Sequence, residues 1–184
     1  MEKRRLFVAI DLPQQVINEI VAVQQQLSFR HLFEGRVTHP EHLHLTLKFI
    51  GEVDEQTHVA VQTALEDLSF PTIKSSLGHL GSFKGEEGTA IIWIALEGEE
   101  LAVLAHAINE ILAPLVPPDQ REFVSHVTIA RVKSVPDEER LQKYLEEAIV
   151  PALQFEVKEF VLKDSVISDN GAYYTVIERY PLVS

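Results

Sequence analysis

The 184-residue chain contains no cysteine. That absence excludes a disulfide framework, a thiol nucleophile and a thiolate zinc site, and leaves His and carboxylate groups as the only common metal ligands. Long apolar runs are missing too, since nothing approaches the roughly 18 residues that a membrane span needs. The basic start, Met1-Glu2-Lys3-Arg4-Arg5, is followed only by Leu6 to Ile10 before Asp11. This is too short for a signal-peptide core, so a cytoplasmic protein with no membrane attachment is expected. The 8 Gly and 9 Pro are scattered, which removes collagen-like and low-complexity readings. Positive charge is scarce: 16 Lys+Arg stand against 28 Asp+Glu, a net −12. Such a field repels an extended polyanion, and long-duplex binding is not expected. A short or terminal phosphate in a local pocket remains compatible, because a few aimed donors act at short range while distant charges are screened. What the chain does have is 46% hydrophobic residues, enough for one domain, or two small lobes, with a real core.

Leu6 to Ile10 reads as a buried strand, and Pro13 then opens a stretch in which Val16, Ile20, Val23 and Leu27 recur at helical spacing. Leu43, Leu45, Leu47 and Phe49 alternate with His42, His44, Thr46 and Lys48, the period of a strand with one face in the core and one open. Asp54 can cap a helix carrying His58, Val61, Leu65 and Leu68, and a weaker strand spans Thr72 to Leu80. Gly81 to Gly88 reads as a loop. Ile91 to Ala95 is a strand, Leu101 to Leu112 an apolar helical stripe, Val124 to Val132 a strand, and Pro136 introduces a helix with Leu141 and Leu145. Phe155 to Leu162 and Tyr173 to Tyr180 complete the strands, with a turn at Asp169-Asn170-Gly171 between them. The order repeats in two halves, approximately 5–80 and 89–163, offset by roughly 82 to 85 residues, with a final strand over 173–180. A single bilobal domain is expected over the whole chain.

His44-Leu45-Thr46-Leu47 and His126-Val127-Thr128-Ile129 occupy matching strands of the two halves. Because side chains alternate, each His and the Thr two residues on leave the strand together, while Leu45, Leu47, Val127 and Ile129 point into apolar packing. Composition alone gives about 0.35 H-x-T pairs by chance, so one would mean little, and two at equivalent places of a repeat mean more. Two imidazoles facing across a groove suit removal of a proton from an attacking group while another is given to a leaving group, because imidazole titrates near neutral pH. Two hydroxyls beside them can donate to phosphate oxygens, and a strained cyclic phosphodiester needs only positioning, proton transfer and charge stabilisation. This scheme requires no metal.

The chain resembles the RNA 2′,3′-cyclic phosphodiesterases, also called 2′-5′ RNA ligases, of the two-histidine phosphoesterase superfamily. The resemblance runs through Arg5 to Asp11, His42 to Val53, Phe123 to Arg131, Leu162 to Ser165 and Gly171 to Tyr174. It implies an α+β bilobal fold, two pseudo-twofold-related lobes of mainly antiparallel sheet with outer helices and a central groove lined by the H-x-T-x strands. It also implies hydrolysis of terminal 2′,3′-cyclic phosphates of RNA or oligonucleotides to 2′-phosphomonoesters, with ATP-independent 2′-5′ joining in reverse and no cofactor. By the family's usual assignment His44 is the proton donor, His126 the proton acceptor, and Thr46 and Thr128 hold the phosphate. Residue chemistry alone leaves open which His plays which role. Two positions depart from the pattern: Ser125 stands where relatives commonly have Pro, and Thr89-Ala90 where they often have Arg.

Arg131 matches a familial phosphate-binding arginine, yet three residues after Thr128 it should face away from the groove unless a bulge intervenes. Lys48 has groove parity, while Phe49 falls on the Leu face and, like Phe123, is expected in core packing rather than against a base. His42 beside His44 raises a metal site that the complete His-x-Thr pairs do not need. His31, His39, His58, His79 and His106 form no constellation. Lys84-Gly85 is not a P-loop, so ATP is not expected. A monomer is expected. Two other readings stay open on this sequence: a non-catalytic module binding an RNA-end or nucleotide phosphate, and a phosphodiesterase for a small cyclic phosphate outside RNA.

Overall fold

Alternation and helical spacing decide which side chains each element buries, and the computed structural model describes the result for residues 3–86, 88–119, 121–168 and 171–183. The Asp169-Asn170 pair of the expected turn lies outside the described residues. The order is β1 (Arg4–Asp11), α1 (Gln14–Phe29), β2 (Glu34–Val37), β3 (His44–Val53), α2 (Glu55–Glu66), β4 (Ile73–Gly85), β5 (Gly88–Glu97) and α3 (Glu99–Leu112). It continues with β6 (His126–Ser134), α4 (Glu138–Glu147), β7 (Gln154–Val157), β8 (Glu159–Ser168) and β9 (Gly171–Pro181). Val16, Ile20, Val23 and Leu27 form the buried stripe of α1, and Asp54 caps α2 by accepting the Thr57 amide at 2.9 Å.

The strands form one antiparallel sheet in the order β7-β4-β5-β6-β3-β1-β8-β9, with β2 added beside β6. Four strands lie on each side of a seam where β3 meets β6 through the pair Leu45 and Val127. Each lobe takes one strand from the other half of the chain: β4 lies beside β5, and β8 beside β1. Equivalent pairs recur across the seam. Asp11 pairs with His44 as Ala95 pairs with His126, and Ala9 with Thr46 as Trp93 with Thr128. Helix stripes and the inward faces of β3 and β6 share one core, while Phe7, Ala9 and Val161 form a small separate cluster on the opposite face. The helices therefore back one side of the sheet and leave the other available as a groove. This is the α+β, bilobal, antiparallel architecture expected.

Two bulges change what reaches that groove. In β3, Ala9 faces Thr46 but Val8 faces Lys48, so Leu47 is an extra residue. In β6, Trp93 faces Thr128 but Ile92 faces Ala130, so Ile129 is extra. At each bulge two successive residues turn to the core, Leu47 with Lys48 and Ile129 with Ala130, all at most 3% exposed. The next residue, Phe49 in one strand and Arg131 in the other, returns to the face of the His and Thr. Lys48 is thus not a groove residue and Phe49, 67% exposed, is not a core residue, which reverses both expectations. The buried Lys48 ammonium donates to Asn109 Oδ1 of α3 at 2.8 Å, to the Pro117 carbonyl at 3.2 Å and to Asp119 Oδ2 at 3.3 Å, partners that a buried charge needs. At the β6 bulge the Ile129 carbonyl accepts from the side chain of Gln24 on α1 and from the Thr38 amide, each at 2.8 Å. A polar side chain of a helix thus anchors each bulge.

The glycine-rich stretch expected as a loop carries strand, continuing β4 to Gly85 before turning into β5, and Glu34–Val37, given no element above, pairs with β6 as β2. Gly81 is needed there because the Trp93 ring lies against it: a Cβ would sit 2.2 Å from the indole.

Candidate active site

β3 presents His44 and Thr46 half-buried on the open face, with Leu45 and Leu47 in the core, and β6 repeats the pattern with His126 and Thr128 over Val127 and Ile129. Extending the Leu45–Val127 register by one residue each way sets His44 opposite Thr128 and Thr46 opposite His126. In a regular antiparallel ladder this makes His44 and His126 diagonal neighbours, whose backbone positions lie about 7 to 8 Å apart. That spacing leaves room for a tetrahedral phosphate with a ring on each side and a hydroxyl beside each ring.

The two rings differ in their surroundings. His126 Nδ1 donates to the Val124 carbonyl at 2.7 Å. A carbonyl only accepts, so the proton sits on Nδ1 and Nε2 offers its lone pair. Burial lowers the His126 pKa, partly offset by that carbonyl. His44 is held down to about 4, by burial first and by Lys163 second, with the His42 carbonyl and Asp11 opposing. His44 is therefore neutral near pH 7, with a consequence for folding. An unfolded-state pKa of 6.5 above a folded value of about 4 means that the unfolded chain binds more protons between those limits. Stability is complete above pH 6.5 and falls as pH drops toward 4, by roughly 3 kcal/mol from this residue. Chemical denaturation at pH 7, 5.5 and 4 checks this: His44→Gln should lose less over that range than the parent protein, and equal losses would rule the contribution out.

Beside His44 lies an ion pair that sequence reading missed. Lys163 of β8, 5% exposed, donates to the carboxylate of Asp11, and Asp11 is the register partner of His44. The available signal was a lysine directly after the apolar run Phe160-Val161-Leu162. Arg131, matched above to a phosphate-binding arginine, is exposed on the histidine face, and its register partner across β2 is Arg36, which was not anticipated. Each histidine also has its own aromatic wall. Phe7 and Tyr174 lie 5.2 and 5.3 Å from His44, with Phe49 6.2 Å beyond Phe7. Phe83 stands edge-on to His126 at 4.8 Å, and Trp93 is 6.0 Å from it. His79, expected to stand alone, lies 5.5 Å from Trp93. His42 packs on Tyr174 at 4.9 Å, and Phe123 packs against the main core as expected. Among the described residues no three His, Asp or Glu side chains converge as a metal site, and no helix is long and apolar enough to cross a membrane.

A helix-backed antiparallel sheet with a His-x-Thr pair on each of its two central strands, β3 and β6, defines the class by its fold. The chain belongs to the 2′-5′ RNA ligase superfamily, whose family model matches residues 12–165. It is 34% identical over 177 residues to the RNA 2′,3′-cyclic phosphodiesterase of Methanocaldococcus jannaschii, covering 96% of this chain and 99% of that one. To the protein of the same name from Archaeoglobus fulgidus it is 31% identical, with 92% and 96% covered. The crystal structure of Escherichia coli LigT in apo form matches along the whole of both chains with a TM-score of 0.81 at 24% identity. TT0787 of Thermus thermophilus matches at 0.76 and 27% identity over 97% of each chain.

Proposed function

We propose that this protein hydrolyses 2′,3′-cyclic phosphate ends of RNA or oligonucleotides to 2′-phosphomonoesters, using neither metal nor ATP, as a cytoplasmic monomer. What supports the reading is that His44 with Thr46 and His126 with Thr128 are half-buried on two neighbouring strands that pair at Leu45 and Val127, whose own side chains are in the core. The relatives named above support the substrate class, and E. coli LigT, 25% identical to this chain, has been crystallised with 3′-AMP.

His126, with Nε2 unprotonated, takes a proton from water as its oxygen attacks phosphorus. The P–O3′ bond breaks on the opposite side, where His44 gives its proton to O3′. Thr46, Thr128 and Arg131 hold the non-bridging oxygens. His44 must be protonated for this step, and an anionic phosphate placed against the ring supplies the missing stabilisation of its charged form. With a 5′-hydroxyl in place of water the same proton transfers make a 2′-5′ linkage. The net charge of −12 favours a chain end over a long RNA track.

The test is incubation with a short RNA ending in a 2′,3′-cyclic phosphate, in EDTA and without nucleotide. A 2′-phosphate product is expected. A 3′-phosphate would reverse the leaving-group assignment, and saturable binding with no product would make the groove a binding module.

A further inference from the structure

Phe83, Trp93 and His79 stand on the His126 side of the groove, away from the Phe7, Phe49 and Tyr174 rings at His44. The two walls are built differently. At the position equivalent to Ala9 the second lobe has Trp93, and the side chain missing at Gly81 lets the indole lie against β4. Phe83 lies 5.4 Å from Trp93, so the rings form a continuous surface reaching from His126 outward. Flat, half-buried aromatic surface of this kind stacks nucleobases without regard to their sequence.

In-line displacement decides which nucleoside each wall meets. The ribose of the cyclic phosphate stays with O3′, on the His44 side, so its base is directed to Phe7, Phe49 and Tyr174. Whatever attacks must enter past His126, and if it is an alcohol its remaining atoms extend along Phe83 and Trp93. We propose that the surface of Phe83, Trp93 and His79 is a second nucleoside site, which holds a 5′-hydroxyl nucleoside or RNA 5′ end in line to replace water. This rests on the reaction proposed above. In the step, the 5′ oxygen bonds to phosphorus, its proton passes to His126 Nε2, the P–O3′ bond breaks, and O3′ takes the His44 proton. The product is a 2′-5′ phosphodiester, with no further reactant consumed.

Trp93 is the chain's one tryptophan, so its fluorescence reports this surface directly. The probe is 5′-deoxyadenosine, which has the base but no nucleophile. It is expected to quench Trp93 in the millimolar range, equally with and without saturating cytidine 2′-monophosphate in the groove. In hydrolysis of cytidine 2′,3′-cyclic phosphate it should lower kcat and leave KM unchanged. Phe83→Leu should weaken the quenching about tenfold. Adenosine, which has the 5′-hydroxyl, should in addition yield a 2′-5′-linked dinucleotide. Loss of quenching when the monophosphate is bound, a rise in KM alone, or no quenching at all would each overturn the second site. Failure of the hydrolysis itself would appear in the reaction without nucleoside, and the fluorescence experiment would still decide whether the second site exists.

Discussion

His126→Ala is expected to slow hydrolysis of a 2′,3′-cyclic phosphate end by about 10²- to 10⁴-fold, and His44→Ala to cost a similar factor on the natural substrate. The two should separate when sulfur replaces O3′ in the cyclic substrate. A thiolate, from a group of pKa near 8.5 rather than an alcohol's far higher value, leaves without a proton donor. His44→Ala should then recover most of its lost rate, because donating that proton is its assigned task. His126→Ala should not recover, because water still has to lose a proton. Rescue of His126→Ala alone would exchange the two roles, and full activity of both variants on the oxygen substrate would remove acid–base catalysis by this pair. The parent protein should show a bell-shaped pH profile, since one ring must be neutral and the other charged. Burial and Lys163 hold His44 down, so the phosphate-bound protein should keep its activity to higher pH than the free protein's His44 would allow.

Arg131→Ala is expected to reduce kcat/KM by about 10²- to 10³-fold, the range found when a preorganised donor to a developing anion is removed. The bulge at Ile129 brings this guanidinium to the histidine face, and Arg36 is its register partner, a second cation beside the position proposed for the phosphate. Arg131→Lys should restore only part of the loss, since an ammonium keeps the charge but not the forked pair of donors. Circular dichroism should be unchanged in both, because the side chain is exposed. If Arg131→Ala stayed within about threefold of the parent, electrostatic anchoring of the phosphate at this position would be untenable.

Local periodicity was enough to read the four helices, most strands and the face shared by His44 with Thr46 and His126 with Thr128. It misplaced Lys48 and Phe49 because each lies beyond an extra residue, and a bulge belongs to the pairing of two strands rather than to either strand alone. Arg131 shows the same limit from the other direction: its parity pointed away from the groove until β5 supplied the register. The Asp11–Lys163 pair joins residues 152 positions apart, so no window of sequence contains it. Strand β2 escaped notice because its four residues are all exposed and lack alternation. The aromatic wall at His126 was hidden by the glycines that make it possible, since Gly81 to Gly88 carries the composition of a loop.

Phe49 and Arg131 occupy equivalent places, one after each bulge. A groove with perfect twofold symmetry would be blind to strand polarity and would accept a phosphodiester in either orientation with equal ease. Here the same backbone device delivers a benzyl ring on one side and a guanidinium on the other. An RNA end laid the wrong way round would bring its sugar and base against the cation and its phosphate oxygens against the negative face of an aromatic ring. On the proposed reaction, the bulges thereby turn a near-symmetric frame into one that would tell 3′ from 5′.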